Sequence, residues 1–247
     1  MAKAARHAGQ ARRGPSPRRT TSRRRVDGVR ERTGEYESSQ GAPDHRKGQP
    51  APSESTRYIQ TSEGSLSYTQ VAERLAVDLS RILYEIVEAP PRELSISPDW
   101  LCQRHRTLAG GLFPDWAGRY RNIDVSVGSH TPPPSYEVPA LTGLFCDDLA
   151  ERLRHVSGRE SDVGRLAELL AWADWRFQWI HPFTDFNGRI GRVLLAALLY
   201  KLGLPHTETA PLEVDERHGY LDALRRADAG DLGPLTALWI QRIANAL

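Results

Sequence analysis

Cysteine is nearly missing from these 247 residues: Cys102 and Cys146 are the only two. Two thiols cannot build a disulfide framework or a four-ligand structural zinc site, so a reducing cytoplasm is the expected compartment. Long apolar runs are missing as well. No stretch of roughly 18 apolar residues occurs, so no helix is expected to span a membrane. The twin arginines Arg18 and Arg19 have no apolar run behind them, which argues against an export signal. Large aliphatic side chains are almost wanting from residues 1–57, which are rich in Arg, Gly, Pro, Ser and Gln. Such a composition buries too little surface to offset chain entropy, so a disordered tail is predicted there.

Charge is unevenly spread. Residues 1–50 hold 13 Lys and Arg against 5 Asp and Glu, and the remaining 197 hold 20 against 26, so the net +2 combines a +8 tail with a −6 domain. The run Arg23, Arg24 and Arg25 could draw phosphates, but a solvated tail without a dedicated partner, or a misassigned start, is the reading adopted over a nucleic-acid arm. With 39% hydrophobic and 26% charged residues, one globular domain with a sizeable core is expected.

What is abundant is helical period. Tyr68, Val71, Ala72, Leu75, Leu79, Ile82, Leu83 and Ile86 keep one stripe until Pro90-Pro91 stops it. Ser97-Pro98-Asp99 is a start signal for a helix carrying Trp100, Leu101 and Leu108, with Gly110-Gly111 at its end. His105 lies within it and is read as a packing or surface residue. Leu141 to Leu153 and Asp162 to Ile180 mark two more helices, and Trp172, Trp175 and Trp179 on the second are read as core aromatics without a ligand. Ile190, Val193, Leu194, Ala197 and Leu198 place another helix from near Asn187 to Gly203. After a loop from His206 to Glu213, Tyr220 opens a helix, and Pro234 to Leu247 carries the last.

Between the second tryptophan-bearing helix and the next lie twelve residues, His181 to Arg192, reading H-P-F-T-D-F-N-G-R-I-G-R. A helix starting near Asn187 leaves its first N–H groups without partners, so Asn187 and Gly188 make an anion cradle. Arg189 and Arg192 are about one turn apart and can reach one polyanion from the same side. Asp185 offers a hard oxygen for Mg²⁺, and His181, with an ordinary pKa near ~6.5, suits proton abstraction at neutral pH. Each residue has a bland explanation by itself: a helix end at His181-Pro182, a cap at Asp185, a solvated arginine face. Their co-occurrence at these spacings favours chemistry on a nucleotide.

The stretch resembles the signature loop of the Fic (Fido-domain) family, written H-P-F-x-D/E-G-N-G-R-x-x-R, with Phe186 where the family has Gly. The segment Phe113 to Pro139 resembles it too. There G-R-Y-R ends at Arg121, Ile123, Val125 and Val127 alternate with polar residues, and Gly128 to Pro134 turns back. Alternation alone leaves a two-stranded flap and an irregular loop equally open; the resemblance favours a flap that lies over the active loop and holds a target segment. The Y-L-D-A-L, G-D-L, P-L arrangement near the end resembles the close of the same fold.

The resemblance implies an all-α, mainly helical Fic fold with a small β-hairpin flap: a basic tail over 1–57, an N-terminal helix within 58–96 packed on the core, and a Fido domain over 97–243. It implies Mg²⁺-dependent transfer of AMP from ATP to a Ser, Thr or Tyr hydroxyl of a target protein. His181 would be the general base and Asp185 the metal ligand. Phe186, Asn187, Gly188, Arg189 and Arg192 would hold the phosphates. Phe186 keeps two alternatives open: transfer of another phosphate-containing group, and a nucleotide-binding module without catalysis. A Phe held in a left-handed backbone would be strained by roughly 1 to 3 kcal/mol. The inhibitory S/T-x-x-x-E-G/N helix of the family has no match. Thr69 to Glu73 precedes Arg74, Thr209 to Glu213 precedes Val214 and Thr33 to Glu37 precedes Ser38. A separate antitoxin-like chain is therefore one expected restraint, and none at all the other.

Overall fold

The computed structural model describes residues 58–156, 162–209 and 214–247, so the expectation of a disordered tail over 1–57 lies outside the described residues. Two four-residue strands open the described chain, β1 (Tyr58–Thr61) and β2 (Gly64–Ser67), paired antiparallel with Ile59 opposite Leu66. Seven helices follow: α1 (Tyr68–Glu88), α2 (Pro98–Ala109), α3 (Val138–Val156), α4 (Val163–Ile180), α5 (Asn187–Lys201), α6 (Val214–Asp228) and α7 (Gly233–Ala246).

Local chemistry explains where several of these begin. Ser67 and Gln70 form a reciprocal capping box that starts α1. The Ser97 hydroxyl accepts from Trp100 N–H at 3.1 Å and Pro98 sits in the first turn of α2, where its missing N–H costs nothing. The Asp162 carboxylate accepts from Gly164 N–H at 3.0 Å to start α4.

Helices α4 and α5 are apolar nearly all round and form the centre. Leu166, Leu170, Ala173, Phe177 and Ile180 of α4 are buried, as are Ile190, Val193, Leu194, Ala197 and Leu198 of α5. Around them pack α1, α2, α3, α6 and α7. Contact between the central pair is close because position 191 is glycine: a Cβ there would collide with the Gln178 side-chain amide of α4. The far end of α5 is tied to the end of α1 and to the segment after it, with Tyr200 donating to Val87 O at 2.9 Å and Lys201 to Leu94 O at 2.7 Å. Trp172 is buried against Phe145, and Trp175 donates its Nε1–H to Asp228 at 2.9 Å, so these aromatics serve packing.

Two placements differ from expectation. The hairpin lies at Tyr58–Ser67, whereas the anticipated flap over 113–139 contains a single antiparallel bridge, Val127 with His130, around Gly128-Ser129. Its physical cause is local. Three successive prolines lack ladder donors, and the carbonyls of Ile123 and Pro133 that a second strand would use accept instead from the Arg121 side chain, at 3.0 and 2.6 Å. Helix α6 also begins at Val214, six residues before Tyr220; its first two turns lack an apolar stripe and contain Gly219.

Candidate active site

The site is built where α4 stops and α5 starts. Helix α4 ends in His181, whose backbone is left-handed at φ 51°, ψ 63°, with its N–H still donating to Phe177 O at 3.1 Å. Proline at 182 bars further helix, and the left-handed turn sends the chain into a short loop. That loop is sewn shut by side chains. The Asn187 amide accepts from Phe183 N–H at 2.9 Å and donates to Phe183 O at 2.8 Å, and the Phe183 ring is fully buried. The Asp185 carboxylate accepts from Phe186 N–H at 2.6 Å.

A second group braces the loop from α2. His105 is fully buried, stacks on Phe183 at 4.0 Å, and bonds Asp185 O through Nε2 at 3.1 Å. Its Nδ1 accepts from Gly118 N–H at 2.8 Å, which fixes the tautomer: Nε2 carries the proton. Burial pushes the His105 pKa down to about 4, with the bond to Asp185 opposing, so the ring is neutral at pH 7. Gly118 has φ +75° and a Cβ there would meet the Arg106 side chain at 2.7 Å, so only glycine can present that N–H to His105.

Of the backbones open to it, Phe186 adopts the left-handed one, φ 59° and ψ 15°. Its ring, however, is buried against Phe113 and Trp116, with centroids 5.5 and 5.7 Å away, and so turns into the core. The Arg189 guanidinium lies over that ring at 5.3 Å. Gly188 is exposed, and nothing lies within 4 Å of where its Cβ would be, so the mouth of α5 is open. Arg192 donates from Nε to Gly188 O at 3.2 Å. Burial lowers its pKa first and the neighbouring Arg189 charge second, so two cations are held close together at a helix start. A bound polyanion would relieve that repulsion and meet the positive end of α5.

The seven residues singled out from sequence thus fall in one loop and the first turns of one helix, but they divide in use. The Asn187 side chain and the Phe186 N–H hold the loop together; they are not presented to a ligand. Asn187 and Gly188 N–H, Arg189 and Arg192 remain at the mouth. Asp185 is only 7% exposed and one of its oxygens already accepts from Phe186. Among the described residues no three His, Cys, Asp or Glu side chains converge as a metal site. Of the seven residues, Asp185 alone carries a carboxylate, so a cation there would draw most of its oxygen ligands from phosphates and water.

Sequence reasoning passed over two residues that hold this site in place, His105 and Arg121. Arg121 is 2% exposed and donates from Nε to His181 O at 2.8 Å. Both sit in recognisable places, a histidine amid an apolar stripe and the last arginine of G-R-Y-R, but nothing in the sequence shows what they touch.

The end of α4 and the start of α5 thus hold a histidine, a carboxylate and two arginines within twelve positions of one turn. Residues 95–199 match the family model described as the Fic/DOC family. Its relatives include the Protein adenylyltransferase Fic of Nematostella vectensis, 32% identical over 140 residues, which are 57% of this chain and 30% of that one. Protein adenylyltransferase fic-1 of Caenorhabditis elegans is 35% identical over 140 residues, 56% of this chain and 25% of that one. The chain thus spans about a third or less of the length of these relatives. Among solved structures, a Fic domain containing signaling protein from Bacteroides thetaiotaomicron shares the fold, with TM-score 0.56 and 20% identity over 71% of this chain and 69% of that one. The BepC protein of Bartonella tribocorum, solved with bound AMPPNP, does so with TM-score 0.61 and 16% identity over 77% and 94%.

Proposed function

We propose that this chain transfers AMP from ATP to a hydroxyl side chain of a target protein. The observation that carries the reading is the braced turn from His181 to Arg192, which sets an imidazole at one end of a loop and, at the other, two arginines with the exposed Gly188 at the start of α5. His181 takes the proton of the target hydroxyl as its oxygen attacks the α-phosphorus. The bond from that phosphorus to the bridging oxygen of the β-phosphate breaks, and pyrophosphate leaves. Asn187 and Gly188 N–H and Arg189 meet the charge that develops on the phosphates, and Arg192 grips the distal end. Asp185 would hold Mg²⁺, which when bound neutralises phosphate charge.

The target is held, in this reading, by main-chain contact with the segment from Ile123 to Pro133 beside His181. In this reading the Fido domain runs over 97–243, with the helix of 58–96 packed upon it. The names of the relatives, and the AMPPNP of one structural neighbour, support nucleotide transfer over other chemistries. The turn of the Phe186 ring into the core supports catalysis over a module that merely binds nucleotide, because that ring does not occupy the mouth of α5. Incubation with labelled ATP, Mg²⁺ and a cell extract is expected to label a protein with the wild type and not with His181→Ala. Equal labelling by both contradicts the reading, and nucleotide binding without labelling of any protein favours the binding module.

A further inference from the structure

Among the described residues, Arg121 is a buried cation that no buried carboxylate pairs. Its nearest anion, Asp124, is solvent-exposed and 3.9 Å away, and that carboxylate accepts from Ser135 N–H at 2.7 Å. Burying a guanidinium in this way is costly, and an apolar side chain would fill the space more cheaply if packing were the only need. Where its donors go is informative. The side chain bonds Ile180 O at 3.3 Å and His181 O at 2.8 Å, and the Arg121 backbone N–H bonds Pro182 O at 3.0 Å. Three successive carbonyls on either side of the His181 Cα are thereby fixed by one residue.

These carbonyls lie at the negative end of α4, where they lack helical partners and favour a cation. His181 itself is left-handed at φ 51°, a conformation that persists in a non-glycine residue only when its surroundings over-determine it. The remaining donors of the same guanidinium reach Ile123 O at 3.0 Å and Pro133 O at 2.6 Å, the two sides of the flap. Flap and histidine are therefore registered to one planar, rigid group. His130, at the flap tip, adds a contact to Trp179 O at 3.1 Å, but from outside this clamp.

We propose that Arg121 is the positioning residue of this site: one buried guanidinium clamps the carbonyls around His181 and those at the base of the flap, so that the imidazole and the target strand keep a fixed relation. The assignment rests on the reading of His181 as the base and of the flap as the target holder. It separates the two binding events, because ATP meets the mouth of α5, which Arg121 does not touch.

Lysine keeps the charge but cannot span both sets of carbonyls. Arg121→Lys is expected to lower kcat for target modification by about 10- to 100-fold, the scale of a small misplacement of reacting groups, while leaving KM for ATP within about twofold. A parallel loss of ATP affinity, or full activity, overturns the proposal. Two further measurements need no activity. In ¹H–¹³C spectra of histidine-labelled protein, Arg121→Lys is expected to shift the His181 imidazole signal and to speed amide exchange at residues 123–130; no change in either overturns it. Should that variant fail to fold, the wild type decides: its Arg121 Nε–H must exchange slowly, and rapid exchange refutes the clamp. A wild type that modifies nothing would remove the functional reading, while the spectra would still test the clamp.

Discussion

The loop from His181 to Asn187 and the segment from Ile123 to Pro133 are both irregular backbone braced by Arg121, yet only the loop, which His105 also holds, adds several bonds of its own. The loop secures itself over short range: Asn187 bonds both backbone groups of Phe183, and Asp185 caps Phe186 N–H. The flap has one bridge of its own and is held from outside, by Arg121 at its base and by His130 reaching Trp179 O and Asp228 at its tip. A self-braced loop can keep catalytic groups in place regardless of what is bound. A tethered segment has little pairing of its own, and in the proposed reading it is the part that meets the target's main chain.

This contrast can be tested by breaking the loop one support at a time. The largest effect is expected at His181 itself, where loss of a general base costs about 10²- to 10⁴-fold in rate. His181→Ala should lower target labelling by that factor with its melting temperature little changed. Activity within tenfold of wild type would show that the loop places some other base. Next comes the self-bracing. Asn187→Ala leaves two buried backbone groups of Phe183 unmet, which is expected to cost about 2 to 4 kcal/mol in chemical denaturation. A loss under 1 kcal/mol would mean that the bonds from His105 and Arg121 hold the loop without help from Asn187.

Phe186 gives a smaller and sharper test. Truncating its buried ring should destabilise the fold, but the left-handed backbone at φ 59° suits glycine and not alanine. Phe186→Gly is therefore expected to be about 1 kcal/mol more stable than Phe186→Ala, the reverse of the order in ordinary backbone. Denaturation of the two variants side by side decides it, and Ala above Gly would show that the strain is relieved in solution.

The mildest effect is a pH dependence that joins the loop to α2. The His105 pKa falls from 6.5 to about 4 on folding, so the unfolded chain binds a proton that the folded one refuses. Stability contributed by the neutral ring is present above 6.5 and is lost as pH falls toward 4, by up to about 3 kcal/mol. His105→Gln should flatten this slope. An unchanged slope would assign it to other groups.

Much of the helical skeleton was legible because packing leaves a period of 3.6 in the sequence, and α1, α4 and α5 lie where their stripes predict. The candidate site was legible because its residues are contiguous. What escaped notice shares one physical character: it consists of side chains bonding distant backbone carbonyls. Arg121 reaches His181 across 60 residues and His105 reaches Asp185 across 80, and a carbonyl carries no residue-type signal at the partner position. Asn187 misleads at short range, since its amide reads as a ligand for phosphate but is engaged by Phe183, four residues away. The β1–β2 hairpin is too short for alternation to stand out, and the early turns of α6 have no stripe to find.

The central claim is that the braced turn from His181 to Arg192 delivers the α-phosphate of ATP to a protein hydroxyl. It is tested most directly by incubating wild type and His181→Ala with a target-containing extract, Mg²⁺ and ATP labelled at either the α- or the γ-phosphate. The expected result is α-label on a protein with the wild type alone and γ-label on none. Protein labelling from the γ-phosphate, or α-labelling that survives His181→Ala, would contradict it.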